Sequence, residues 1–239
     1  MPLPKIATPT YELELPSSGE TIQYRPFLVK EEKLLVIALE SEDNKQITNA
    51  IKAVIKNCIL TKNIKVETLP TFDIEYLFLN IRGKSVGESV EVNVICPDDG
   101  ETNVAVKIDL DDIQVQKNEE HTNKIKVDAN IMMEMKYPSL EQFIKTNFDF
   151  GNENAMEQSF ELIAACIDKI YTEDEVWSAS DVTKKELTEF LDQMNSSQFK
   201  EIEKFFETMP KLSHKIMVVN PKTKVESEVV LEGLASFFA

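Results

Sequence analysis

The sequence predicts an α+β fold in which helices and antiparallel β-hairpins occupy separate stretches of the chain. Apolar residues recur with helical spacing between residues 30 and 81, alternate with polar residues in strand-like runs beyond that point, and return to helical spacing after residue 139. Strands and helices do not alternate one by one, which argues against a parallel-sheet nucleotide-binding fold.

Residues 1–83 form the first predicted region, a Pro-rich arm followed by two short strands and three helices. Apolar residues at intervals of three and four predict two helices after Lys30, broken near Glu42-Asp43, and we expect them to pair through their apolar stripes. A third helix is predicted over residues 72–81, with Gly83 as its stop. The two stripes consist of Leu34, Leu35, Ile37 and Ala38, and of Ile47, Ile51, Val54, Ile55 and Cys58.

Residues 84–136 form a predicted antiparallel β region. Alternation over 89–95 and 102–108 predicts a hairpin whose turn is Cys96-Pro97-Asp98-Asp99-Gly100, and a further alternating run covers 124–135.

An acidic helical region is predicted over residues 137–209, with helices at 139–147, 154–171, 183–194 and 198–208. Thr183 and Glu186 have the spacing of a capping box, which marks the start of the third of these helices. The region contains 16 acidic and 6 basic residues. Such a block is either the solvated side of ordinary helices or an acidic docking surface.

Residues 210–239 predict a last hairpin and an apolar tail. Strands at 214–219 and 225–231 flank Asn220-Pro221-Lys222-Thr223-Lys224, and we expect this hairpin to pack on the 84–136 region. Because an apolar tail is rarely left in water, Phe237 and Phe238 are candidate partner-binding residues.

The charge and composition narrow the class of protein. The formal net charge is -16, which repels nucleic acid and anionic membranes and favours protein partners. Three scattered cysteines do not make a disulfide framework and are typical of a reducing compartment. No signal-peptide pattern opens the sequence, and no apolar run approaches the roughly 18 residues that span a bilayer. We therefore expect a cytosolic protein.

Three short matches to catalytic motifs fail on their context. Gly83-Lys84-Ser85-Val86-Gly87 matches a nucleophile elbow, but a helix precedes it and strands follow, the reverse of what that motif requires. Its Gly-Lys-Ser also lacks the earlier glycine of a phosphate-binding loop, and Asp149-Phe150-Gly151 has no accompanying kinase motifs. We expect no catalytic or cofactor-binding residue.

Metal binding is likewise not expected. Asp109, Asp111 and Asp112 lack the spacing of a calcium loop. Cys96 stands where a zinc knuckle of the form C-P-x-C-G begins, but Asp99 replaces the second cysteine and the 220–224 turn contains none. Either the two hairpins pack as a degenerate, metal-free, zinc-ribbon-like module, or they are unrelated elements.

One long stretch resembles a known family. Tyr24-Arg25-Pro26-Phe27-Leu28-Val29-Lys30-Glu31-Glu32-Lys33-Leu34-Leu35 and the following Ala38 to Asp43 are similar to the opening of the baseplate hub proteins of T-even-type contractile-tailed bacteriophages. The similarity continues through 73–79, 82–88, the Cys96 turn and the closing Leu231-Glu232-Gly233-Leu234 with Phe237-Phe238.

The resemblance implies a hub component or a chaperone-like hub-assembly factor. Such a protein would act through other hub and tail proteins, without nucleic acid, membrane or small-molecule substrate, in the host cytoplasm during assembly or in the virion baseplate. Phe27, within the similar stretch, is a further candidate partner-binding residue. An acidic host-directed binding protein or nucleic-acid mimic, and an unrecognised hydrolase, are the alternatives.

Overall fold

The computed structural model describes residues 6–41, 43–139, 155–233 and 236. The chain forms two compact units, and the α+β prediction is confirmed. Residues 1–66, 72–116 and 211–239 make the first, here called the terminal unit, and residues 67–71 and 117–210 make the second, the inserted unit. The division into four regions stays a prediction.

The terminal unit begins with a short hairpin and three helices. Strands β1 (Tyr11–Glu14) and β2 (Thr21–Tyr24) pair antiparallel, with Tyr11 opposite Tyr24. Helices α1 (Val29–Glu40), α2 (Asn44–Cys58) and α3 (Thr71–Val86) follow. The Asp43 carboxylate accepts hydrogen bonds from the Lys45 and Gln46 amides and caps α2. The predicted break between the first two helices is therefore confirmed.

Helices α1 and α2 pack together as expected, but the predicted apolar stripe of α1 is only partly correct. Val54, Ile55 and Cys58 of α2 are buried as predicted, but Leu34 and Ile37 of α1 are exposed. The buried positions of α1 are Glu31 and Ala38, and Leu35 is half-buried, so only Leu35 and Ala38 of the predicted stripe face inward. Apolar residues lie on all sides of this helix, so their spacing alone does not identify the side that faces the core.

Gly83 does not end the third helix, contrary to the prediction. Helix α3 continues to Val86, and Gly87, with φ of 142°, follows it. Gly83 is buried within the helix, where a Cβ would lie in ordinary contact with Leu110, 3.4 Å from its Cδ1.

Two β-hairpins complete the terminal unit. Strands β3 (Ser89–Ile95) and β4 (Asn103–Asp109) pair with each other, and β10 (Lys211–Val219) lies between β5 (Gln114–Gln116) and β11 (Glu226–Glu232). Both predicted hairpins are confirmed. They share one core, formed with Leu79 of α3 by Val90, Val92, Val94, Ile108, Leu110, Ile113, Leu212, Ile216, Val218 and Leu231.

The inserted unit is a four-stranded antiparallel sheet with three described helices. The strands β6 (Lys124–Lys126), β7 (Met132–Met135), β8 (Ile167–Tyr171) and β9 (Val176–Ser178) are adjacent in that order. The helices are α4 (Ala155–Ala165), α5 (Lys184–Asp192) and α6 (Ser196–Thr208). The predicted capping box of Thr183 and Glu186 opens α5, and the predictions of α5 and α6 are confirmed.

Two predictions within this unit are wrong. The single strand expected over 124–135 is two strands, because the Asp128 carboxylate accepts hydrogen bonds from the Asn130 and Ile131 amides and closes a turn. The single helix expected over 154–171 ends at Ala165, and β8 follows it. The helix expected at 139–147 lies outside the described residues, apart from Ser139.

A β-bulge explains the second of these errors. Ile167 lies opposite Met135 and Lys169 lies opposite Glu134, so Asp168 is an extra residue in β8. Ile167 and Ile170 consequently both face the core, three residues apart. That interval is typical of a helix, and the bulge reproduces it in a strand.

Candidate interaction site

The tips of the two terminal-unit hairpins have the same backbone hydrogen-bond pattern. The Gly100 amide donates to the Cys96 carbonyl, and the Lys224 amide donates to the Asn220 carbonyl, both at 2.9 Å. Gly100 and Lys224 both have positive φ, at 67° and 65°. Each turn thus begins at a residue that precedes proline and ends at a residue with left-handed backbone conformation.

Side-chain hydrogen bonds join the two tips in a group that we call the Asn220 cluster: Asp98, Asp99, Asn220 and Thr223. The fully buried Asn220 donates through Nδ2 to Asp98 Oδ1 at 3.0 Å and to Asp99 Oδ2 at 2.9 Å. The Thr223 hydroxyl donates to Asp98 Oδ2. Asn220 Oδ1 accepts from the Lys222 amide at 2.9 Å, so the same side chain also orders its own turn. The cluster therefore connects two hairpins that are distant in sequence.

The surroundings of the Asn220 cluster stabilise the ionised form of Asp99 and disfavour the ionised form of the neighbouring Cys96. Hydrogen bonds from the Thr102 hydroxyl and amide, with those from Glu101 and Asn220, hold the pKa of Asp99 well below its usual range. Burial, followed by the charges of Asp98 and Asp99, raises the pKa of the Cys96 thiol. Among the described residues no group of three histidine, cysteine or acidic side chains could hold a metal ion. That the two hairpins form a zinc-ribbon-like module stays a prediction.

Arg25 and Glu31 form a buried ion pair in the stretch 24–35. Arg25 Nη2 lies 3.0 Å from Glu31 Oε1, and the two side chains are 13% and 1% exposed. Arg25 also donates to the Pro26 and Asn57 carbonyls, while Glu31 Oε2 accepts from the Leu28 amide at 2.8 Å. The pair thus connects the end of β2, the start of α1 and the end of α2.

Phe27 is half-buried in the terminal unit. Its amide donates to Ser85 Oγ at 2.9 Å, and the Ser85 hydroxyl donates to the Ile81 carbonyl within α3. Ser85 therefore lies inside a helix and uses its hydroxyl to hold the segment before α1, whereas a nucleophile elbow places serine between a strand and a helix. The partner-binding role of Phe27 stays a prediction. Phe237, Phe238 and the Asp149-Phe150-Gly151 motif lie outside the described residues.

The exposed side of α1 is the most apolar helix surface that the structure describes. Val29, Val36 and Ile37 are 65%, 47% and 64% exposed, and Leu34 and Leu39 are exposed as well. Isolated exposed apolar residues are ordinary, but a contiguous set on one helix is typical of an interaction surface. This surface is visible in the sequence, because apolar residues lie on every side of α1. The predicted stripe placed too many of these residues in the core.

The inserted unit carries the acidic region. Its described helices α5 and α6 expose their charged residues, as expected for solvated helix surfaces. Val176 and Trp177 on the edge strand β9 are also exposed, next to the acidic turn of Glu173, Asp174 and Glu175. Solvated surface and docking surface both stay predictions for this region. Within the described residues, every helix is too short or too polar to cross a bilayer.

Comparison with known proteins gives the class of this chain. The sequence model of the family described as T4 bacteriophage base plate protein matches residues 8–239, and the chain belongs to that family. The resemblance to phage baseplate proteins is thereby confirmed, and with it a structural role associated with the tail baseplate and its proteins. No curated protein and no solved structure matches the chain.

Proposed function

We propose that the protein is a component of the central hub of a contractile-tail baseplate, or a chaperone-like factor that assembles the hub. It would act by binding other hub and tail proteins in the host cytoplasm, without catalysis. The family match over residues 8–239 carries the proposal, since it spans both units rather than one. The exposed apolar side of α1 supports it, because a protein that acts by binding needs such a surface.

Specific features of the described residues favour binding over catalysis. The hydroxyl of Ser85 is engaged within the terminal unit, at the Phe27 amide and the Ile81 carbonyl. His121, the histidine of the inserted unit, stacks on Tyr137 and contacts Thr208 at 2.9 Å through Nδ1. Burial lowers the pKa of His121, as expected for a neutral ring packed among aromatic side chains.

Interrupting the gene in the phage is expected to abolish complete baseplates, because an absent hub component or assembly factor leaves the hub unfinished. Electron microscopy of lysates and infectivity measure the result, with the intact gene supplied from a plasmid as the control. Normal infectious tails from the interrupted phage would contradict the proposal. Mass spectrometry of mature particles then separates its two forms, since a hub component stays in the virion and an assembly factor leaves.

A further inference from the structure

We propose that the exposed side of α1 binds the same helix of a second copy of this chain, antiparallel and about a two-fold axis. The surface consists of Val29, Lys33, Val36, Ile37 and Glu40, here called the α1 stripe. The proposal goes beyond the hub assignment and does not depend on it.

The α1 stripe has the spacing of a helix-packing surface. Its members follow one another at intervals of four, three, one and three residues, which places them on one side of an α-helix. The residues that α1 buries in its own unit, Glu31 and Ala38, lie on another side. The three apolar members are each about half or more exposed, at 65%, 47% and 64%. Packing against another helix would remove this apolar area from water.

The charges of the α1 stripe favour a second copy over an unrelated helix. Lys33 and Glu40 lie on opposite sides of the Val36–Ile37 midpoint, each about 5 Å from it along the axis. An antiparallel two-fold pair centred on that midpoint places Lys33 of each copy opposite Glu40 of the other, twice over. A parallel pair would oppose like charges. Neither residue has an ion pair among the described residues, so both are available for these contacts.

Other groups on α1 are compatible with this arrangement. Lys30 Nζ lies 3.3 Å from Glu31 Oε1 and is already partly neutralised, and Glu32 lies at the margin of the stripe. The net charge of -16 on each copy opposes association at long range. At physiological ionic strength this repulsion is screened beyond about 8 Å, whereas adjacent Lys33 and Glu40 side chains would interact at shorter range.

Analytical ultracentrifugation of the full chain at physiological salt tests the proposal through charge exchange. We expect the wild type to dimerise, and Lys33→Glu and Glu40→Lys each to weaken the dimer at least tenfold, because each opposes like charges twice. The double variant should restore the dimer. An equimolar mixture of the two single variants should form a heterodimer, since one chain then presents two glutamates and the other two lysines. Lys185→Glu, an equal charge reversal on exposed α5, should leave dimerisation unchanged.

A wild type that stays monomeric at tens of micromolar, or a dimer that neither single variant weakens, would overturn the proposal. Failure of both the double variant and the mixture to restore a dimer that the single variants had lost would also overturn it. Circular dichroism of each variant verifies folding, and Lys33 and Glu40 are exposed, so neither change disturbs a core. A monomer that is still required for complete baseplates would remove this inference and leave the proposed function intact.

Discussion

Replacing Arg25 by alanine is expected to destabilise the terminal unit by about 3–5 kcal/mol, the usual cost of removing one partner of a buried ion pair. Glu31 would stay 1% exposed with its main cation gone, and the Pro26 and Asn57 carbonyls would lose their guanidinium donor. Guanidinium denaturation followed by circular dichroism measures the loss. Hydrogen exchange of residues 44–58 should accelerate, because Arg25 holds the end of α2.

Lys30→Ala is the matched control for Arg25→Ala. Its ammonium group contacts the same Glu31 carboxylate at 3.3 Å, but the Lys30 side chain is 69% exposed. Because exposed ion pairs contribute little, we expect a loss below about 1 kcal/mol. Equal losses in the two variants would show that the buried geometry of Arg25 is not what stabilises this region.

The contribution of Glu31 to the free energy of unfolding should be lost at low pH. Burial opposes ionisation, but hydrogen bonds from Arg25 and the Leu28 amide, with the charge of Arg25, outweigh it and hold the pKa of Glu31 below its usual value. Its stabilisation is thus complete above the ordinary glutamate pKa of about 4.3 and is lost as the pH falls through the folded-state value. The difference in unfolding free energy between wild type and Glu31→Gln should be full at pH 7 and shrink below about pH 4. A pH-independent difference would contradict this assignment.

The second large effect is expected at Asn220. Asn220→Ala removes the fully buried amide that donates to Asp98 and Asp99 of the other hairpin and that accepts from the Lys222 amide of its own turn. We expect a loss of about 1–3 kcal/mol in the free energy of unfolding, with faster hydrogen exchange at both hairpin tips. Asn118→Ala is the control, because Asn118 accepts a similar turn hydrogen bond from the Glu120 amide at an exposed site. A loss confined to the 220–224 turn would show that the cluster does not join the hairpins.

Asn220→Asp distinguishes hydrogen bonding from shape. The variant keeps the volume of the side chain but replaces its donor with a third carboxylate beside Asp98 and Asp99. Its folded-state pKa should rise, so the destabilisation should be largest at neutral pH and decrease as the introduced group becomes protonated in acid. A variant as stable as the wild type at pH 7 would show that the amide group does not matter.

Local signals made most of the fold predictable. Strands β3 and β4 place valine or isoleucine at alternate positions, β10 and β11 contain the apolar runs 216–219 and 229–231, and each hairpin has a turn that contains proline. Helix α5 was predicted from the capping box of Thr183 and Glu186, which the structure contains. Signals of this kind depend on neighbouring residues and need no knowledge of the tertiary structure.

The features that were predicted wrongly are determined by packing between residues distant in sequence. The bulge at Asp168 lies in the pairing of β8 with β7, and no residue in 167–171 identifies that partner strand. The side of α1 that faces the core likewise contains Glu31, which pairs with Arg25. A prediction based on apolar residues alone leaves such a charged pair out. The Asn220 cluster joins residues more than 120 positions apart, so spacing along the chain could not predict it.

The discontinuity of the terminal unit has a consequence for synthesis. Strand β5 ends at Gln116, yet its partner β10 begins at Lys211, after the whole inserted unit has been translated. At typical elongation rates the ribosome needs on the order of 5–20 s to cover that interval, during which the apolar side of the β3–β4 hairpin has no β10 or β11 to cover it. A message truncated before residue 211 therefore yields a chain that proteases can recognise as unfinished. Selection of complete translation products would thus precede any entry into the baseplate.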